Sequence, residues 1–263
     1  MEDVIAQYTG ADEDSRLTRQ YIAQLEYDTT MHKLATYLTV GTKVCEVGAA
    51  TGRYSLAFDE LGCEVTAVEL APEQVEMLRS KALEQQRCLL IYQGNACDLS
   101  FIESGSQDVC VILGPLYHLK TSQERVQAIT EAKRILKSGG ILAVAYISRF
   151  FVAGLFAHKF PHLMTPAVLN ELHQSGTVSD PTAPDFFNVG YFSSPTEIET
   201  LLAKQGLSII SHSATDSFNR YIATGVNNFS PSQYQTWLDY HLQCCDEPSL
   251  LGASNHGLVV SQV

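Results

Sequence analysis

Between residues 42 and 148, short apolar runs alternate with longer amphipathic stretches. KVCEVG, CEVTAVEL, CLLIYQ, SQDVCVILG and ILAVAYIS have the length and apolar content of buried strands. RYSLAFDEL, PEQVEMLRSKALEQ and SQERVQAITEAKRILK lie between them with helical spacing. Pro72 falls in the first turn of the second helix, and Gly139-Gly140 is the expected stop of the third. Strands separated by helices of this length predict βαβ units, hence a doubly wound, mostly parallel α/β sheet with helices on both faces. The right-handed crossovers of such a sheet leave a crevice at the carboxyl ends of its strands.

The flanks follow other rules. Residues 1–40 read as a helical leader, with Asp14 or Ser15 as cap and Leu17, Tyr21 and Leu25 on one stripe. Tyr8 and Tyr21 can close over the crevice or simply pack. After Ser148 the alternation stops. Residues 149–193 carry the aromatic pairs Phe150-Phe151, Phe186-Phe187 and Tyr191-Phe192, broken by Pro161, Pro166, Pro181 and Pro184. That is too long for a plain loop and predicts an inserted cap or lid, although the rings can equally form a second small core. Ser194-Pro195-Thr196-Glu197 starts a helix ending near Gln205-Gly206, LSIISHSA is a sixth strand, 230–246 is helical, and 257–262 is a seventh strand. The expectation is one domain over 1–263.

Composition narrows the function classes. In 263 residues, 45% are hydrophobic and 17% charged, enough for a large core. The formal charge of −12 repels phosphate backbones and anionic lipid heads, so neither nucleic acid nor a membrane surface is an expected partner. Of the seven cysteines, Cys45, Cys63 and Cys110 sit in apolar runs and Cys244-Cys245 has no CxxC partner. A disulfide framework is not expected, which fits a reducing cytoplasm. The acidic first residues have no apolar core of a signal peptide, and no apolar stretch approaches the roughly 20 residues of a membrane helix.

The sharpest signal is Glu46-Val47-Gly48-Ala49-Ala50-Thr51-Gly52, directly after the first strand and opening a helix. Glycine permits a tight turn and close ligand approach. Glu69 ends the second strand, at the spacing where a carboxylate reaches a ribose diol over that turn. A strand–helix turn with an exposed acid is the plain reading of either part alone; the ordered set favours a nucleotide site. A dinucleotide loop wants glycine where Ala50 stands, and the Glu46 carboxylate would repel a pyrophosphate. It suits an ammonium or sulfonium, which favours S-adenosylmethionine over NAD.

These residues make the sequence resemble the class I S-adenosylmethionine-dependent methyltransferases, bacterial small-molecule type, well over 42–148 and loosely elsewhere. The resemblance implies that Glu46, Gly48, Ala49 and Gly52 hold the amino-acid end of the cofactor, that Glu69 takes the ribose, that Asn95 and Ala96 lie on the adenine side, and that Leu70 and Leu113 are further cofactor contacts. The family usually has Asp at the place of Asn95, whose amide oxygen can still accept from the adenine amine. The resemblance also implies a Rossmann-like seven-stranded sheet whose last strand is antiparallel and inserts between the fifth and sixth.

Methyl transfer is an in-line displacement that needs orientation more than a catalytic cluster. His118, just past the fourth strand, can act as general base toward a small-molecule O, N or S acceptor, or merely shape its loop. Tyr117, Tyr146, Arg149 and Phe150 are the candidate acceptor contacts; Arg149 can hold an anionic acceptor or form a salt bridge. His241, His256 and Cys244-Cys245 match no metal-ligand spacing, and no metal is expected. The alternatives are an NAD-dependent oxidoreductase, opposed by Glu46 and Ala50, and a non-catalytic domain on the same fold. A nucleic-acid methyltransferase is disfavoured by charge and by Gly114-Pro115-Leu116-Tyr117, which lacks the amide that grips a base amine.

Overall fold

The computed structural model describes residues 2–8, 13–179 and 190–263. Phe186, Phe187, Pro181 and Pro184, counted in the expected cap, lie outside the described residues. Seven strands form one sheet: β1 (Lys43–Val47), β2 (Glu64–Glu69), β3 (Leu90–Gln93), β4 (Gln107–Ile112), β5 (Leu136–Ile147), β6 (Ser208–Ala214) and β7 (His256–Gln262). Their order is β3-β2-β1-β4-β5-β7-β6. All pairs from β3 to β5 are parallel, and β7 runs antiparallel to both neighbours. The Rossmann-like sheet and its inserted antiparallel strand are as the resemblance implied.

The helices are α1 (Glu2–Tyr8), α2 (Tyr21–Leu34), α3 (Arg53–Glu60), α4 (Pro72–Glu84), α5 (Ser122–Ile135), α6 (Arg149–Lys159), α7 (Pro166–Ser175), α8 (Pro195–Lys204), α9 (Ala223–Asn227), α10 (Pro231–Cys244) and α11 (Pro248–Leu251). Strands apolar on both faces need cover on both. Cys45, Val47, Cys110, Ile112, Leu142 and Val144 meet Ile129 and Ile135 of α5 and Leu202 of α8 on one side. Val44, Val65, Val109, Val111, Ile141 and Ala143 meet Leu34 of α2 and Phe58 of α3 on the other. Capping boxes fix three helix starts, at Thr121 with Glu124, Ser194 with Glu197 and Ser230 with Gln233.

Two boundaries differ from the sequence reading. The leader helix starts at Tyr21 rather than at a cap on Asp14 or Ser15. Asp14 instead bonds Thr51 Oγ1 at 3.3 Å and pairs with Lys81, so its side chain serves a tertiary contact. The third helix ends at Ile135, and Gly139-Gly140 lies inside β5, where Gly139 has φ +76° and the β4–β5 register shifts. The glycines shape a bulge in a strand and do not end the helix.

The chain winds outward from β1 through β2 to β3 on one side and from β4 to β5 on the other. The switch between β1 and β4 opens the crevice at their carboxyl ends.

Candidate active site

The loop after β1 is shaped by its own backbone. Gly48 and Ala49 N–H groups both donate to the Val68 carbonyl, at 2.8 and 3.1 Å. Gly48 has φ +83°, and a Cβ there would come within 2.5 Å of Pro115 Cδ. Ala50, where a middle glycine was missing, still adopts the left-handed conformation that glycine favours, at φ +46°. Its N–H is held at 2.8 Å by Glu69 Oε2, which offsets that strain. Glu69 Oε1 accepts from Ala71 N–H at 2.8 Å. A carboxylate oxygen can accept more than one bond, and Glu69 lines the crevice.

Glu46, buried at 1% exposure, accepts from the Ser55 hydroxyl of α3. Burial pushes its carboxyl up to about 8, with the charge of Glu69 adding and the Ser55 bonds opposing. Burial also raises Glu69, against the backbone N–H groups that favour its anion. Asn95 Oδ1 accepts from Cys97 N–H at 3.0 Å and so folds its own turn.

One cavity gathers these groups. Glu46, Gly48, Ala49, Glu69, Leu70, Asn95, Ala96, Leu113, Tyr117 and His118, all named from the sequence, line it. Its empty space, open mouth included, is about 1200 Å³. Buried carboxylates at the strand ends, a glycine held close to the backbone and an apolar wall at Leu70 and Leu113 fit a nucleoside joined to a cationic tail. Tyr117 is buried, which pushes its phenol up to about 12, and its hydroxyl donates to the Leu113 carbonyl at 3.1 Å.

Four named residues lie off this wall. Gly52 is the N-cap of α3 at φ +86°, and a Cβ there would strike Leu78, so its demand is packing. Tyr146 is buried at 2% and bonds His212 Nε2 at 2.8 Å; His212 Nδ1 in turn bonds Glu199 at 2.7 Å. It lines a second cavity between α5 and α8 instead. Arg149 is buried and pairs with Glu197; it donates to the carbonyls of Phe192 at 3.1 Å and His173 at 2.7 Å. Its charge is spent on seating α7 and α8. Phe150 is half exposed and packs beside Gly252.

Among the described residues, none from 149–193 lines the cofactor-side cavity. Val152, Phe156, Leu163, Val168, Leu172 and Phe192 pack on one another as a separate small core. Among the described residues, Val4, Ile5, Tyr8, Glu13, Arg16 and Leu17, from the other end of the chain, form part of its wall. Gln74 Nε2 donates to the Tyr8 carbonyl at 3.0 Å, and Tyr8 Oη lies 2.8 Å from His118 Nε2. Sequence reasoning gave no signal for Glu13, Arg16 or Gln74, because their approach depends on how the leader folds back.

Behind Arg16 lies a buried ionic group. Arg16 reaches Glu26 at 3.4 Å, and Glu26 bonds Arg220 at 2.9 Å and His256 Nδ1 at 3.0 Å. Arg220 also holds Asp216 at 2.6 Å. Burial would keep His256 neutral, but Glu26 and Asp216 outweigh it and raise the imidazole above its ordinary value. Glu26, Asp216 and His256 are close enough to suggest a cation site, yet Arg220 binds both carboxylates and answers their charge.

The comparisons extend this picture. Residues 45–144 match the family described as Methyltransferase domain. A ubiquinone biosynthesis O-methyltransferase of Xanthomonas oryzae pv. oryzae is 31% identical over 109 residues, 41% of this chain and 44% of that protein. The corresponding protein of Xanthomonas euvesicatoria pv. vesicatoria is 31% identical over 126 residues, 48% of this chain and 49% of that one. The chain thus spans about half the length of the curated relatives it matches. Among solved structures, an S-adenosylmethionine-dependent methyltransferase of Methanosarcina mazei is similar with TM-score 0.60 and 17% identity, over 88% of this chain and 96% of that one. One from Aquifex aeolicus reaches 0.56 at 12% identity over 98% of each. These structural likenesses show the fold.

Proposed function

We propose that this chain, a class I S-adenosylmethionine-dependent methyltransferase through its domain at residues 45–144, transfers the methyl group to a small-molecule acceptor. The observation that carries the reading is that Glu46, Gly48, Glu69, Asn95, Tyr117 and His118 all line one cavity. Glu46 would hold the ammonium end of the cofactor, Glu69 the ribose hydroxyls, and Asn95 with Ala96 the adenine side. The cofactor supplies an electrophilic methyl carbon when bound. The protein's share is to align the acceptor, exclude water and provide a route for the acceptor's proton.

Glu46 disfavours a dinucleotide, whose pyrophosphate would lie against its carboxylate. The arginines among the cavity's described lining are engaged, Arg16 with Glu13 at 3.1 Å and with Glu26, and Arg53 over the Tyr27 ring, so they form no basic track for a polynucleotide. Among the described residues no helix is long and apolar enough to cross a membrane. The test is calorimetry with S-adenosylhomocysteine and NAD, followed by release of S-adenosylhomocysteine across a panel of phenols, alcohols, amines and thiols. Binding of NAD in place of S-adenosylhomocysteine overturns the reading.

A further inference from the structure

Tyr8 and His118 reach one another across the cavity from positions 110 residues apart. Tyr8 is the last residue of α1, and His118 follows the short turn Pro115–Tyr117 beyond β4. Their polar atoms are 2.8 Å apart, and the rings meet edge to face with centroids at 5.4 Å. Both residues line the cavity. A helix of seven residues is not stable by itself in water. The seat of α1 therefore depends on what Val4, Ile5 and Tyr8 touch, and the Gln74 bond to the Tyr8 carbonyl and the Tyr8–His118 bond are its polar ties.

We propose that Tyr8 and His118 act as one acid–base unit, in which Tyr8 takes the acceptor's proton and passes its own to His118, so that proton removal is available only when α1 covers the cavity. This rests on the methyltransferase reading above. A hydroxyl or amine acceptor must shed a proton as it attacks. Tyr8 is not a ready-made tyrosinate: burial raises its phenol, as do Tyr117, Glu13 and Glu69, with only Arg16 opposing. A neutral phenol serves as a base only if its own proton leaves at the same time. His118 Nε2 stands at hydrogen-bond distance to receive it, in the tautomer that leaves Nε2 unprotonated.

The step balances. The acceptor's X–H bond breaks and its proton goes to Tyr8 Oη; the Tyr8 proton goes to Nε2. The freed pair on X bonds the methyl carbon, and the carbon–sulfur electron pair stays on sulfur. The positive charge of the sulfonium ends as an imidazolium, later lost to solvent.

Three measurements test this. In the S-adenosylhomocysteine complex, nitrogen-15 spectra of histidine should show the His118 Nε2 as a hydrogen-bond acceptor that shifts on Tyr8→Phe; a protonated Nε2 overturns the proposal. With the best acceptor from the panel, Tyr8→Phe and His118→Asn should each lower kcat by about 100-fold or more, while S-adenosylhomocysteine affinity moves less than about threefold. The double variant should be no slower than the slower single one, as expected of a unit. His118→Asn, which keeps an acceptor for the phenol, should retain hydrogen-exchange protection of residues 2–8, and Tyr8→Phe should lose it. Unchanged kcat in Tyr8→Phe, or losses that multiply in the double variant, refutes the relay. Failure of S-adenosylhomocysteine to bind the unaltered protein would instead remove the methyltransferase reading itself.

Discussion

The role proposed for Glu46, holding the cofactor's ammonium, makes cofactor affinity depend on pH in a calculable way. Burial disfavours the charge and pushes the Glu46 carboxyl up to about 8. A cationic ligand tail needs the ionised form, so binding must first remove a proton. Apparent affinity then scales with the ionised fraction, and Kd is multiplied by one plus ten to the power of the pKa minus pH. That factor is about 100 at about pH 6 and about 4 at about pH 7.5, a 24-fold change worth about 1.9 kcal/mol. Near pH 7 the binding event should release about 0.9 proton per site by the same linkage. Calorimetry with S-adenosylhomocysteine in buffers of different ionisation enthalpy measures both quantities. Glu46→Gln should flatten the profile and bind weakly throughout. A Kd that is flat over this range in the unaltered protein, or one that weakens as pH rises, refutes the reasoning.

Other outcomes follow from single contacts. Glu69→Ala should weaken S-adenosylhomocysteine binding by at least about 1.5 kcal/mol by calorimetry. It should also lower the melting temperature, because two backbone N–H groups lose their acceptor. Arg149→Ala should destabilise the fold by about 1–2 kcal/mol in urea titration, since the Phe192 and His173 carbonyls lose this donor, while affinity for S-adenosylhomocysteine holds. Removing residues 256–263 should abolish cooperative thermal unfolding followed by circular dichroism, since β7 is bonded on both sides. For the free protein, Glu46 and His256 both have raised folded values, so their contributions are present on the acid side. Both are lost as pH rises, Glu46 between its ordinary value and about 8 and His256 above its own ordinary value; melting temperature should fall across that window and fall less with S-adenosylhomocysteine present.

What the residues revealed in advance was whatever depends on neighbours in sequence. Strand and helix periods around Val44–Val47 and Arg53–Glu60 are local, and so is the spacing from Gly48 to Glu69. The role of Ala50 was half legible: the missing glycine was visible, but not that Glu69 would bond its N–H and hold a left-handed alanine in place. The candidate acceptor contacts failed the other way. Tyr146, Arg149 and Phe150 end or follow β5 at the correct sheet edge, but the side chains turn to His212, Glu197 and Gly252. The cover was sought in the aromatic stretch after β5, where, among the described residues, Phe156 and Phe192 pack in a separate small core and Phe151 packs on Tyr221. Val4, Ile5, Tyr8, Glu13, Arg16 and Leu17 line the cavity instead, tied down through Tyr8, Gln74 and Asp14 by contacts spanning 37 to 110 positions that no periodicity encodes.

The insertion of β7 between β5 and β6 has a bearing on how the chain comes into being at the ribosome. Strands β1 to β5 have all their mutual partners once residue 147 is made, so that half of the sheet can close early, domain by domain as synthesis proceeds. Strand β6 bonds to β7 alone. From the emergence of Ser208 until residues 256–262 follow, β6 has no ladder, and Ile209 and Ile210 travel without one. The nascent protein thus passes through an interval with two open strand edges, at β5 and β6, separated by a gap one strand wide. Any extended peptide that enters this gap first competes with β7. Slower elongation across residues 215–255 should lengthen that interval and increase aggregation during synthesis, while leaving the finished protein unchanged.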